Sequence, residues 1–272
     1  MHPGTADQRA DQLWLISGTG EGPPLARALL ERGWRLRVCV VGSGAAQTYP
    51  PDPRLELRVG ALGGPADLAQ ELAAASAAGD PPRWVVDATH PFAVRISAAL
   101  AAACGARGQP LLRLRRPLLP PDRATLLSGL EALGELPLQG RALLLAIGAR
   151  QLGPALAHSP GARHHARLLP SAAALAAAMA AGLRPDRVAC LRPGTDAAVE
   201  RALCRRWGIE TVLCRRSGGH TETLWREVAA AERLQMLLLD RPPEPAGVEA
   251  LAGPELLARI GAPSHPGSSW PE

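Results

Sequence analysis

Short apolar runs, each followed by a longer alanine- and leucine-rich stretch of helical period, repeat along most of the chain, and that alternation admits few folds. In the first half, Leu13–Ile16, Leu36–Val41, Leu55–Val59, Trp84–Asp87 and Pro110–Leu114 read as strands. Pro23–Arg32, Pro65–Ala77 and Phe92–Ala106 between them read as helices. The stretch Arg116–Asp122 (RPLLPPD) holds three prolines and reads as a linker. A second series follows, with strands at Arg141–Ile147, His165–Leu169, Arg187–Leu191, Glu210–Cys214 and Gln235–Asp240. Within it, Ser171–Ala181 reads as a helix, with Ser171 able to cap its start. Strands that alternate with helices pair in parallel, so the expectation is an α/β chain of two parallel-sheet domains with an interdomain cleft. The expected bounds are 12–117 and 123–242. A Pro/Gly-rich tail, 243–272, is expected mostly outside the fold apart from a helix at Pro254–Ile260.

Composition narrows the partners. No apolar run approaches the roughly 20 residues of a membrane span. Met1–Gln12 is polar, carries Asp7 and Asp11, and has no apolar signal core. A cytoplasmic protein without membrane contact is the expectation. All 30 basic residues are arginine, and the net charge of +5 is spread along the chain. With aromatic residues at 3%, stacking platforms for nucleic acid are lacking, so a small polyanionic substrate is the expected partner. The five cysteines (Cys39, Cys104, Cys190, Cys204 and Cys214) form no C-x-x-C pair and are expected to act as small hydrophobes. His164 and His165 are strand neighbours that point apart, so no metal site is predicted there or elsewhere.

Parallel sheets bind ligands beyond the carboxyl ends of their strands, so the loops after strands carry the information. Ser17-Gly18-Thr19-Gly20-Glu21-Gly22 follows the first strand and opens a helix. Glycines there let backbone N–H groups approach a pyrophosphate, which is the dinucleotide-binding arrangement of a Rossmann-like domain. A tight turn without ligand explains the same residues, because Pro23 stands at the third glycine position of G-x-G-x-x-G. After the second strand come Gly42, Ser43 and Gly44, with no acidic residue for the ribose hydroxyls, which favours NADPH over NADH. Gly60 occupies the matching place after the third strand.

The fourth strand delivers Asp87-Ala88-Thr89-His90-Pro91-Phe92-Ala93. An acid, a hydroxyl and an imidazole meet there, with the only phenylalanine of the chain. Thr89 as a helix cap with His90 on the surface is the bland alternative, and helix initiation and function are compatible.

The run DATHPFA, followed by Ile96-Ser97 and Ala103-Cys104, resembles the hallmark segment of precorrin-6A reductases, enzymes of cobalamin biosynthesis. Leu112-Arg113-Leu114-Arg115-Arg116-Pro117 is similar to that family's next landmark, and Ser17–Gly22 to its opening loop, with Ser17 replacing a glycine. Ala146–Arg150, Arg167–Pro170, Arg215-Arg216-Ser217-Gly218-Gly219 and Arg241-Pro242 resemble further landmarks in the same order.

The resemblance implies nicotinamide-dependent reduction of one double bond of precorrin-6A, or its cobalt complex, to precorrin-6B. It implies a cofactor site at Gly18, Thr19, Gly20, Glu21, Gly22, Gly42, Ser43, Gly60 and Phe92. Asp87, Thr89 and His90 are then the candidate catalytic residues, with His90 or a bound water as proton donor. Arg113, Arg116, Arg215, Ser217, Gly218 and Gly219 are candidates for gripping substrate carboxylates, which arginine binds bidentately. Gly218 and Gly219 are expected to form an anion nest. Arg215 stands where the family has lysine, so it is expected to face the cleft and Arg216 the solvent. Two other functions fit the glycine loop: a different NAD(P)-dependent reductase of a polyanion, or a dinucleotide-binding regulator without catalysis.

Overall fold

The computed structural model describes residues 11–18, 20–192, 194 and 196–263. The chain divides into two compact units, one comprising the chain to Arg116 together with the segment from Pro242 on, the other Pro117–Arg241.

In the first unit the elements run β1 (Gln12–Ile16), α1 (Gly22–Glu31), β2 (Arg35–Val40), α2 (Ser43–Ala46), β3 (Leu55–Val59), α3 (Pro65–Ala77), β4 (Trp84–Asp87), α4 (Val94–Arg107) and β5 (Leu111–Leu114). The second unit contributes β6 (Thr125–Leu127), β7 (Ala142–Ala146), α5 (Leu152–Ala157), β8 (Arg163–Leu168), α6 (Ala172–Ala180), β9 (Val188–Cys190), α7 (Ala198–Trp207), β10 (Thr211–Arg215), α8 (His220–Glu232) and β11 (Gln235–Leu239). The chain then returns to the first unit with β12 (Glu249–Leu251) and α9 (Gly253–Ile260).

Each unit holds one six-stranded parallel sheet, ordered β12-β5-β4-β1-β2-β3 in the first and β6-β11-β10-β7-β8-β9 in the second. Both follow the doubly wound order in which the chain reverses direction across the sheet beside its first strand. The sixth place breaks chain order. β6, which follows β5, joins the second sheet, and β12, which follows β11, completes the first.

The central strands β1, β4 and β7 are largely apolar along their length because helices cover both faces. One face of the first sheet packs Leu13, Leu15, Val38 and Val86 against Leu25 and Leu29 of α1 and Leu256 and Ile260 of α9. The other packs Trp14, Ile16 and Val85 against Leu68 and Leu72 of α3 and Leu100 and Ala103 of α4. Ser171 caps α6, its Oγ accepting from the Ala174 N–H at 3.1 Å.

The tail expectation is corrected. Residues 242–263 belong to the first unit's core: Leu256 is fully buried, and the Gly261 carbonyl accepts from the Trp34 indole at 2.9 Å. The last residues, 264–272, lie outside the described ones. Four cysteines are buried among apolar side chains and Cys190 is exposed. Burial pushes the Cys39 and Cys104 thiols up to about 11, so they stay protonated.

Candidate active site

Four loops leave the first sheet side by side at its carboxyl edge. The Ser17 N–H donates to Cys39 O, the Gly60 N–H to Val40 O and the Ala88 N–H to Ile16 O, at 2.9–3.0 Å. These bonds bring the glycine loop after β1, the Gly42–Ser43 turn, Gly60 and the Asp87–Phe92 turn to one edge. Thr19 is outside the described residues.

The glycines of the first loop divide by what a side chain would meet. A Cβ on Gly18 would find open space, and one on Gly20 only Arg116 Nη2 at 3.8 Å. Gly42 and Gly60 are equally open, and Ser43 is exposed. Such room above exposed backbone is what an approaching phosphate or ribose needs. Gly22 is different. Its Cβ would lie 2.1 Å from both Ser17 Oγ and Tyr49 Oη, so packing alone requires glycine there. Pro23 and Pro24 supply no N–H, so the donors at this edge come from the loop rather than from the first turn of α1.

Tyr49 escaped the sequence reading. It is the single tyrosine, buried, and its hydroxyl donates to Gly18 O at 2.8 Å, clamping the loop from below. The rarity that singled out Phe92 applies equally to Tyr49. Burial raises its phenol above the ordinary value, so it remains a donor.

Arg116 Nη2 lies 2.6 Å from Glu21 Oε2. The pair places a guanidinium beside the glycine loop, with Glu21 serving as its tether.

The Asp87–Phe92 turn is not a helix start. α4 begins at Val94, after Ala93, so Thr89 caps nothing and Pro91 occupies a turn. The Thr89 N–H donates to Asp87 Oδ1 at 2.9 Å, and the Phe92 N–H to His90 Nδ1 at 3.2 Å. The His90 and Phe92 rings stand 5.7 Å apart, tilted by 49°. Thr89, His90 and Phe92 are half-buried, positioned to be touched by a ligand.

Arg113 is corrected. It is the register partner of Asp87 on the adjacent strand, and its Nη1 donates to Asp87 Oδ2 at 2.5 Å and to Ser97 Oγ at 2.8 Å. Its Nε donates to Glu244. The side chain is 3% exposed, so it orients the turn above it and does not reach a substrate. Asp87, 2% exposed, does the same.

In the second unit, the landmark after β10 also differs from expectation. Arg216 is buried, not solvent-facing: its Nη2 donates to Leu119 O at 2.9 Å, and its Nη1 lies 3.4 Å from Asp240 Oδ1. β10 ends at Arg215, so simple alternation no longer applies one residue on. Ser217 is buried. Gly218 has φ +69°, and a Cβ there would lie 1.9 Å from Pro117 O. Its N–H donates to Glu222 at 2.7 Å. The expected anion nest thus has its first donor occupied by the protein's own carboxylate, and Gly218 is a packing glycine. Gly219 precedes α8 with extended backbone.

Arg215 is half-buried, and its Nε and Nη2 both donate to Gln151 Oε1, at 3.1 and 3.0 Å. Burial first, and the nearby Arg150 second, lower its guanidinium to about 10. An anion placed there would relieve both effects. Among the described residues no helix is long and apolar enough to cross a membrane.

Residues 12–259 match the family described as precorrin-6x reductase CbiJ/CobK. The chain is 34% identical over 236 residues to a cobalt-precorrin-6A reductase of Synechocystis sp., covering 85% of this chain and 88% of that protein. It is 33% identical over 265 residues to a precorrin-6A reductase of Sinorhizobium sp., covering 94% and 95%. A solved structure titled CobK precorrin-6A reductase superposes with a TM-score of 0.73 at 28% identity, covering 92% of this chain and 97% of that one. A glycine loop, a half-buried Thr-His-Pro-Phe turn and two doubly wound sheets therefore stand in a chain that belongs to the precorrin-6x reductase CbiJ/CobK family of oxidoreductases.

Proposed function

We propose that this enzyme reduces one double bond of precorrin-6A or its cobalt complex, with NADPH as the donor. The observation that carries the reading is the pairing of open Gly18 and Gly20 positions with the Asp87–Phe92 turn on adjacent strands of one sheet. When bound, a reduced nicotinamide supplies the hydride. The chain's own residues do the rest. Loop N–H groups of Gly18, Gly20 and Glu21 and the Arg116 guanidinium hold the phosphates, and Gly42, Ser43 and Gly60 leave room for the ribose. Thr89, His90 and Phe92 shape the place where the reacting ring lies, and His90, or a water it orders, delivers the proton to the carbon beside the one reduced. Arg215, held by Gln151, grips a carboxylate of the macrocycle. Turnover of metal-free and cobalt-bound precorrin-6A with NADPH and with NADH tests the whole assignment. Oxidation of neither nucleotide in the presence of either substrate overturns it.

The cofactor half is tested at Gly20. Gly20→Val is expected to keep the wild-type melting temperature, because its Cβ meets only a flexible guanidinium end. NADPH affinity should fall by at least about tenfold as the branched side chain enters the phosphate approach. Calorimetry with unchanged affinity in the folded variant would refute a phosphate role for this loop.

The substrate half is tested by comparing neighbours. Arg215→Ala is expected to raise KM for the tetrapyrrole by an amount equivalent to about 2–5 kcal/mol while NADPH affinity stays fixed. Arg216→Ala is expected to act on stability instead, by about 1–3 kcal/mol, since its loss leaves Leu119 O without its donor. Steady-state kinetics and thermal melts on the two variants separate the roles. A reversed pattern would move the substrate contact to Arg216.

A further inference from the structure

Beneath the Asp87–Phe92 turn, a single cation sits between two carboxylates. Arg113 donates through Nη1 to Asp87 and Ser97 and through Nε to Glu244. Asp87 in turn accepts from the Thr89 N–H, and Ser97 Oγ lies 3.3 Å from Thr89 Oγ1. The cluster therefore holds Thr89 by backbone and by side chain at once. Asp87 alone neutralises Arg113, since the two are register partners and both are deeply buried. Glu244, whose side chain is 29% exposed, arrives from a segment 131 residues away along the chain and brings a second negative charge. The formal sum is one net negative charge, directly under the turn and one strand from Ile16, where the glycine loop begins.

A charge so placed discriminates between the two redox forms of a nicotinamide. The reduced ring is neutral and the oxidised ring carries one positive charge. We propose that Glu244 is a positioning residue that, through Arg113, makes the floor of the Asp87–Phe92 turn electronegative and so favours the oxidised cofactor over the reduced one. This rests on the dinucleotide reading of the glycine loop. Stabilising the cationic ring lowers the cost of giving up hydride, which is the direction a reductase needs. As a general scale, two unit charges about 10 Å apart at an effective dielectric near 20 interact by an amount equivalent to roughly a tenfold change in affinity, and that is the size of effect expected.

The test uses the full chain and two probes, NADP+ and NADPH, titrated by calorimetry. Glu244→Gln keeps an acceptor for Arg113 Nε and removes the charge. Glu244→Asp keeps the charge, and Glu244→Ser, which lets water take the Nε donor, removes it a second way should the glutamine variant fail to fold. The expected result is a ratio of NADP+ to NADPH affinity that falls about tenfold in the glutamine or serine variant and stays within about threefold of wild type in the aspartate variant. Melting temperatures confirm that each variant is folded. Equal changes in both affinities, or a ratio unmoved by loss of the charge, overturn the inference while leaving the cofactor site standing. A wild-type chain that binds neither probe overturns the dinucleotide reading, and this inference with it.

Discussion

Arg113→Ala is expected to destabilise the first unit by about 3–5 kcal/mol, the range for removing one partner of a buried ion pair. The loss is not that of a surface salt bridge, for which about 0–1 kcal/mol is typical. Asp87 is left 2% exposed with its Oδ2 unpaired, Ser97 Oγ loses its donor, and Glu244 faces a space where its counter-charge stood. A domain with ~5–15 kcal/mol of total stability barely tolerates that. Denaturant unfolding of the variant should show the first unit melting early while hydrogen exchange in Pro117–Arg241 is unaffected. Arg113→Lys should recover only part of the loss, because an ammonium cannot serve Asp87, Ser97 and Glu244 in the forked geometry of guanidinium. An alanine variant with wild-type stability and a raised KM would restore Arg113 to the list of substrate contacts.

Deleting residues 242–272 is expected to do more damage still. The deletion takes β12 from the edge of the first sheet and exposes the hydrogen-bonding edge of β5, where the Arg115 N–H donates to Leu251 O at 2.7 Å. It also takes Leu256 and Ile260 out of the cluster that contains Leu13, Leu15 and Trp34. Burying each of those two side chains is worth about 1.5–3 kcal/mol, and the Trp34 indole loses its acceptor as well. The sum approaches the whole stability of a domain. Hydrogen exchange should show protection lost across β1–β5 and retained across β6–β11. Equal protection in both regions would mean that the returning segment is an ornament on a complete sheet.

Most of the fold was legible because the central strands of a doubly covered parallel sheet, such as Trp84–Asp87, are nearly continuous apolar runs, and the alternating edge strand Leu55–Val59 and the helix Pro65–Ala77 also have the expected bounds. What escaped was short or mixed. β6 and β12 are three residues each, lie within four residues of prolines and, unlike the equally short β9, sit just after the stretch that reads as linker and within the one that reads as tail, respectively. The same brevity made the tail look dispensable. The turn after β4 was legible as a place but not as a conformation, since a threonine followed two residues later by proline imitates a helix start.

Arg113 could have been placed correctly. It lies inside β5, between Leu112 and Leu114, and a sheet covered on both faces has no solvent side. A buried arginine needs a carboxylate, and the adjacent strand offers Asp87. Arg216 could not, because its burial depends on where β10 ends and on the return of Leu119 from the proline-rich stretch. The packing roles of Gly22 and Gly218 likewise depend on partners, Tyr49 and Pro117, whose proximity no local pattern encodes.

The exchange of sixth strands also sets an order of maturation during synthesis. Residues 117–241 contain all the strands of their own sheet, so that unit can close as soon as β11 has emerged. The unit that begins first cannot. Its sheet waits with β5 at a bare edge, its Trp34 indole without an acceptor and Arg113 without its second carboxylate, until residues 242–261 leave the ribosome. The half of the enzyme carrying the glycine loop and the Asp87–Phe92 turn is therefore begun before the other half and completed after it, so that a chain terminated before β12 lacks a completed first sheet.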